Sequence, residues 1–245
     1  MADTPTDNET PYRSWQQSAR SVLTRISHGT TPFITTFVLI HLTAPVLANL
    51  GGSSLSSQVM LLGREYYQTS FGEKALVLAP LVAHPLSSIV KRYLSPRPAR
   101  RLTSVLSITG YTALISISIH FLTHRYYPAD SSPPIFALSP SELDFEYVKY
   151  GLQEWPWRSW FGYVALTAVV ARHAADGVGI IWNTWLRDRF GKWTGNATTA
   201  SLSTAAMVLP VVSGLYMLSQ EPVMALTSSV SRFHAAFTKS LFYRY

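Results

Sequence analysis

The sequence contains no cysteine and little charge: only 13% of its 245 residues are Asp, Glu, Lys or Arg. The lack of cysteine excludes a disulfide framework, thiolate-bound zinc, a cysteine nucleophile and thioether-attached haem. Soluble domains carry about 25% charged residues, so roughly half the usual solvating surface is missing. Acidic residues are the scarcer sign, 13 against 20 Lys and Arg, giving a net charge of +7. Residues 1–25 have no apolar core and include Asp3, Asp7 and Glu9, so neither a secretory signal nor a mitochondrial presequence is expected there. What the chain does have is seven Trp, thirteen Tyr and long uncharged stretches, the composition of a protein whose solvent is a bilayer.

Five stretches are free of charge or nearly so, and about 20 helical residues cross a bilayer core of about 30 Å. They predict membrane helices at about 32–50, 75–91, 102–123, 159–182 and 198–218. The second is short and must borrow flanking residues. Prolines 45, 80, 85 and 210 are tolerated in lipid, where neighbouring helices satisfy the freed backbone groups. A polar stripe, Thr109, Thr112, Ser116 and His120, lies along the third helix. It reads either as interhelical hydrogen bonding or, for Thr109, Thr112 and Ser116, as the lining of a path for lipid head groups.

Lys91, Arg92, Arg97, Arg100 and Arg101 fill one short loop with no acid, and Arg187, Arg189 and Lys192 face only Asp188 in another. Between Arg125 and Arg158 the balance reverses, three basic residues against five acidic ones. The positive-inside rule therefore predicts a cytosolic N-terminus and cytosolic 91–101 and 183–194 loops. Basic residues along one membrane face account for the +7 without nucleic acid. Residues 1–25 read as a cytosolic tail and 26–220 as the five-span domain. In 221–245, Val223, Leu226, Val230, Phe233 and Phe237 form an apolar stripe that predicts an interfacial amphipathic helix. Ser139-Pro140-Ser141-Glu142 predicts a short helix start on the acidic face.

A weak internal repeat organises the first four spans. Arg25-Ile26-Ser27-His28-Gly29 precedes the first and Ser107-Ile108-Thr109-Gly110 opens the third; the second carries His84 and the fourth His173. Each histidine is followed four residues later by a small residue, Ser88 or Gly177. The predicted fold is all-α and integral to the membrane. Two repeated hairpins form a four-helix, cytochrome-b-like bundle, with a fifth helix outside it. Neutral imidazole is a good axial ligand for haem iron, and a small residue one turn away leaves room for the macrocycle. His84 and His173 are therefore the candidate iron ligands, with His41 as competitor. Arg172 is a candidate partner for a propionate, and it also stands i, i+4 from Asp176, the spacing of an ion pair. His120 and His124 are expected to anchor the third helix near the far interface.

The two-hairpin plan, with its small-residue-flanked second-helix histidines, resembles the membrane-anchor subunits of succinate dehydrogenase, which implies haem b between His84 and His173. It departs from them in fusing both halves and in adding a fifth helix. A fuller resemblance covers most of the chain. HLTAP at 41–45, AHPLSS at 83–88, SELDFEYVKYGLQEWPWRSW at 141–160 and RHAADGVGIIW at 172–182 resemble a fungal family of five-span mitochondrial outer-membrane proteins, found through compensation for loss of the ER–mitochondria encounter structure. That resemblance implies an adaptor at contact sites that recruits a VPS-type bridge-like lipid transporter and scrambles phospholipids between leaflets. The family's recruiting Pro-x-Pro is absent from the N-terminal tail; the triplet here is Pro96-Arg97-Pro98, a candidate partner-binding segment or a rigid turn. The alternative function is quinone-type electron transfer through haem b. With no nucleotide or flavin motif, that function would need a partner to supply electrons.

Overall fold

The computed structural model describes residues 11–95 and 100–244. Among these the chain is all helix and turn, with five helices long and apolar enough to cross a membrane. Pro96 and Pro98 lie outside the described residues. Helix α1 (Pro11–Gly29) runs almost directly into α2 (Thr31–Tyr67). The join at Thr30 keeps helical hydrogen bonding, from Thr30 N–H to the Ile26 carbonyl and from Ile34 N–H to Thr30. Residues 11–25 of the expected tail are thus helical and packed along α3. Helix α2 bends sharply at Gly51 and Gly52, where Gly52 takes φ +59°. A side chain at Gly52 would be strained and would also meet the Glu221 carboxylate, so glycine is required there.

Helix α3 (Ala79–Tyr93) is lengthened at its start by a π-helical turn, Gly72–Leu78, making a continuous span from Gly72 to Tyr93. This is how the short second run reaches membrane length. The cost of drawing in Glu73 is met by Arg125, whose guanidinium grips the carboxylate at 2.6 and 2.9 Å. Helix α4 (Val105–Phe121) starts on a Ser104 cap and continues through a π-helical turn, Leu122–Tyr126. Helix α5 (Phe145–Glu154) is capped by Asp144, which accepts from Glu146 N–H at 2.8 Å. The helix expected from Ser139 therefore begins later. Glu142 instead folds back to accept from Ser139 N–H in a turn. Pro156 then opens α6 (Pro156–Trp185); a short α7 (Arg187–Phe190) follows, and a capping box at Asn196 starts α8 (Ala197–Gln220).

The apolar outer surfaces of these spans, Leu39, Leu50, Val82, Ile115, Phe161 and Leu209 among them, are exposed. In water such a surface would drive aggregation; in lipid it is the solvated face. Helix α2 packs on α8, α8 on α6, α6 on α4, and α1 on α3, while α3 and α6, like α2 and α4, face one another across the interior without packing. Residues around Arg20, Lys91, Arg100 and Asn183 to Ala197 gather at one end.

At the other end a small protein core forms. Helix α9 (Thr227–Lys239) places Phe233, Ala236 and Phe237 against Ile135, Tyr147 and Tyr150, and Phe237 stacks on Tyr147 at 4.4 Å. Part of the stripe expected to lie in the membrane interface is covered by protein, while Leu226 stays exposed. Phe233 and Phe237 are 2% and 0% exposed, and burying each contributes about 2–3 kcal/mol. Polar partners then fix the docking: Arg232 pairs with Glu142, and Lys239 with Asp130. Beneath this cap, Lys149 is 1% exposed and bonds Glu146 at 2.6 Å, Glu221 at 3.3 Å and the Pro222 carbonyl at 2.9 Å. Burial beside Glu154 pushes the Tyr150 hydroxyl up to about 12, and it bonds His234 at 2.9 Å.

Candidate functional site

The two histidines singled out by the repeat meet. His84 on α3 and His173 on α6 reach across the open interior, with ring centres 6.1 Å apart and planes at 89°. Each ring is fixed in the same way. His84 Nδ1 lies 2.9 Å from the Ser27 carbonyl, and His173 Nδ1 lies 3.2 Å from the Leu106 carbonyl. A carbonyl oxygen only accepts, so both Nδ1 atoms carry the proton, and in the neutral imidazole Nε2 then keeps its lone pair. Ser27 belongs to the element before the first membrane-crossing stretch and Leu106 to the equivalent start of α4, so the repeat holds at the hydrogen-bond level too. Thr30 Oγ1 approaches His84 Nδ1 at 3.5 Å, and Ser88 bonds Ser27 at 3.0 Å, tying α3 to α1.

A cavity of about 440 Å³ opens beside the rings, within the range of small-molecule and cofactor sites. Its lining includes His84, Leu106, Gly110, Leu114 and His173 together with the cations Arg20, Lys91, Arg92 and Arg100. Lys91 is steadied by Thr24 at 3.2 Å and Arg92 by Ser107 at 3.2 Å. The residues fit a haem by three observations. The ring centres, 6.1 Å apart, leave room for one metal ion bonded at about 2 Å to a nitrogen of each imidazole. Both Nδ1–H groups donate to carbonyls, the arrangement that orients ligating imidazoles. An apolar cleft with a cationic rim suits a planar macrocycle bearing carboxylates. Among the described residues no group of three or more His, Asp or Glu is arranged for a protein-ligated metal ion.

The two small residues are placed differently with respect to the cavity, which Ser88 lines and Gly177 does not. Gly177 has nothing within 4 Å of where a side chain would begin, so it leaves space without touching His173. The tight position is Gly110, where a Cβ would stand 2.9 Å from His173 Cε1. Its place in Ser107-Ile108-Thr109-Gly110 was visible in the repeat, but its contact across to α6 was not.

Arg172 is corrected as a rim residue of this cavity. It bonds Asp176 at 2.9 Å and Ser201 at 3.1 Å, turning towards α8 and away from the histidine cleft. There it lines a separate groove of about 880 Å³ between α6, α8 and the start of α4, with Asp176, Asn183 and Trp193. The cations that do face the cleft include Arg20, which lay in the presumed tail and carried no sequence signal. The hydroxyls of the stripe follow one edge of α4, Thr109 and Ser116 half-buried and Thr112 exposed, and Thr109 is committed to the Val105 carbonyl at 2.8 Å.

His41 is corrected as a competitor for the His84 or His173 position. It faces His120 on α4, ring centres 5.9 Å apart. His120 and His124, expected to cap the third helix, point into the interior; His124 stacks on His120 at 4.5 Å and pairs with the Tyr163 hydroxyl at 3.2 Å. No family profile, curated protein or solved structure matches the chain.

Proposed function

We propose that this multi-pass membrane protein binds one b-type haem through His84 and His173, and that it serves as a lipid-handling adaptor of the mitochondrial outer membrane. The observation that carries the haem reading is the matched pair of imidazoles, each with Nδ1 pinned by a carbonyl, 6.1 Å apart over a cation-rimmed cavity. When bound, the haem supplies a one-electron centre and a rigid planar strut between the two hairpins. The chain's own residues orient the imidazoles through Ser27 and Leu106; Arg20, Lys91, Arg92 and Arg100 would hold propionates, and Leu106 and Leu114 would exclude water.

The adaptor reading rests on the resemblance carried by residues 41–45, 83–88, 141–160 and 172–182. It comprises recruitment of a VPS-type bridge-like lipid transporter, with Pro96 and Pro98 as docking candidates, and scrambling of phospholipids between leaflets. The groove beside Arg172 and the hydroxyl edge of α4 support a head-group route. The gathering of Arg20, Lys91 and Arg100 at one end supports a cytosolic N-terminus, since that end is the basic one.

The test is the absorption spectrum of detergent-purified protein, oxidised and then dithionite-reduced. A Soret band that shifts on reduction, with sharp visible bands, is the expected result. Its absence after haem-supplemented expression returns the histidines to packing. Quinone-dependent turnover with an added reductase would favour the electron-transfer function over the adaptor.

A further inference from the structure

The groove beside Arg172 holds an ion pair that the histidine cleft does not use. Arg172 and Asp176 join at 2.9 Å on α6, inside a span, with side chains 25% and 19% exposed. A charged pair at that depth carries a desolvation cost comparable to its Coulombic gain, and such residues mark ligand sites and paths. This pair is left half-satisfied. Arg172 donates from Nε to Asp176 and from Nη1 to Ser201, and Asp176 accepts at Oδ2. Among the described residues, Arg172 Nη2 and Asp176 Oδ1 have no hydrogen-bond partner. A cationic donor and an anionic acceptor thus stand about one helical turn apart in the wall of one groove.

The walls leave room for a ligand. Ala171 and Ala175 on α6 and Ala200 on α8 keep the groove open, and its volume of about 880 Å³ suits a small-molecule site. It follows α6 from Asn183, at the basic end, inward to Arg172, a rise of about 16 Å. Arg100 shares the lining, so two guanidiniums stand against one carboxylate. A phospholipid head group with a primary amine, as in phosphatidylserine or phosphatidylethanolamine, offers the complement: phosphodiester oxygens for the guanidiniums and an ammonium for the carboxylate. Choline instead calls for a cage of aromatic faces. Trp193 is the one aromatic side chain in the lining among the described residues, and its indole packs against Gly179 and Gly195. Val178, 42% exposed, joins the groove to the apolar outer face where acyl chains lie.

We infer that this groove is a head-group site selective for aminophospholipids, with Arg172 and Arg100 holding the phosphodiester and Asp176 the primary ammonium. The inference rests on the lipid-handling reading of the groove and adds the head group that it selects.

The experiment is native mass spectrometry of the full chain in detergent, titrated with phosphatidylserine, phosphatidylethanolamine, phosphatidylcholine or phosphatidylglycerol of one acyl composition. Scrambling of labelled lipids in proteoliposomes is measured beside it. The two amine lipids are expected to bind about tenfold more tightly than the other two, the effect of one charge-assisted hydrogen bond. Asp176→Asn should bring them level with phosphatidylcholine, and Arg172→Gln should weaken all four. Where these variants fail to fold, Ser203→Leu narrows the groove without altering either member of the ion pair and should reduce binding of the amine lipids. Glycerophosphoethanolamine, which lacks acyl chains, should compete weakly; competition at the lipid's own concentration overturns a lipid ligand in favour of a soluble one. Equal binding of all four lipids overturns the site, and persistent scrambling then leaves the lipid-handling reading standing without it. Selectivity that survives Asp176→Asn also overturns the site. Selective binding lost in Asp176→Asn, in a protein that does not scramble, keeps the site and removes the route. Neither binding nor scrambling overturns both.

Discussion

Replacing Gly110 by alanine separates a ligand-positioning role from a merely structural one. The new Cβ would stand 2.9 Å from His173 Cε1 and 3.2 Å from Nδ1. Ordinary carbon contact begins near 3.5 Å, so the imidazole must move by roughly 0.6 Å. Its bond to the Leu106 carbonyl is already 3.2 Å, and a shift of that size takes it past useful hydrogen-bond length. Alanine gains about 1 kcal/mol of helix propensity over glycine. Crowding costs about 1–3 kcal/mol and the lost hydrogen bond about 1 kcal/mol. The net change in stability is therefore small, about 1–3 kcal/mol, and the fold survives. Haem retention should fall much further in proportion, by about 10–100-fold, the usual effect of removing the group that orients a ligating imidazole. The assay is transfer of haem from the detergent-solubilised protein to excess apomyoglobin, followed at the Soret band. Gly177→Ala is the control, since Gly177 does not line the histidine cleft, and it should release haem at the wild-type rate. If Gly110→Ala also releases haem at the wild-type rate, His173 is not held by Leu106 as an axial ligand.

Lys149→Met should destabilise the cap by about 3 kcal/mol, the low end for breaking a buried ion pair, because Glu221 is one-third exposed and partly hydrated; thermal unfolding in detergent measures this, and an unchanged midpoint would refute it. Acidification should loosen the same cap. The Ser139 N–H, then Arg232, hold the Glu142 carboxyl below the usual range, and the hydrogen bonds from Lys239 and Ser132 do so for Asp130. Groups lowered in this way contribute stability above the ordinary carboxylate pKa and lose it as pH falls through their folded values. Hydrogen exchange in 227–239 should therefore rise between about pH 5 and pH 3 while the spans stay protected; equal protection at both pH values would contradict this. Leucine at both Thr112 and Ser116 should slow lipid scrambling in vesicles. A wild-type rate would leave those hydroxyls to helix packing alone.

The spans were legible because a charge inside lipid is costly, so uncharged runs mark them. The second was legible only in part. Its extra turn contains Glu73, a residue that argues against burial until its partner Arg125, 52 positions away, is known. The helix within the tail was not legible for a related reason: its many polar residues hid an element whose support is α3, supplied from residues 79–93. The His84 and His173 pairing followed from the repeat, because equivalent helices carry equivalent residues. The roles of Arg172 and Arg20 did not follow. The i, i+4 spacing of Arg172 and Asp176 predicts their ion pair, which forms at 2.9 Å, but says nothing about which cleft the pair faces. The stripe on α9 was real as an amphipathic pattern. Periodicity identifies an apolar face without saying whether lipid or protein covers it.

The bend in α2 also sets an order on how the chain comes together during synthesis. The amide of Ser53, freed at the Gly51–Gly52 break, donates to Glu221 at 3.0 Å, and the same carboxylate answers Lys149. Three points of the chain, 53, 149 and 221, close one knot, and the last of them emerges 168 residues after the first. At about 5–20 residues per second, the ribosome supplies Glu221 roughly 10–30 s after Ser53. Until then the bent helix and the buried lysine meet only through the 3.3 Å bond from Lys149 to the Ser53 hydroxyl, without the carboxylate that ties both, and the fifth span completes the lock at their far end. A nascent chain arrested before α8 should remain open to proteases at its acidic end, and the released full chain should not.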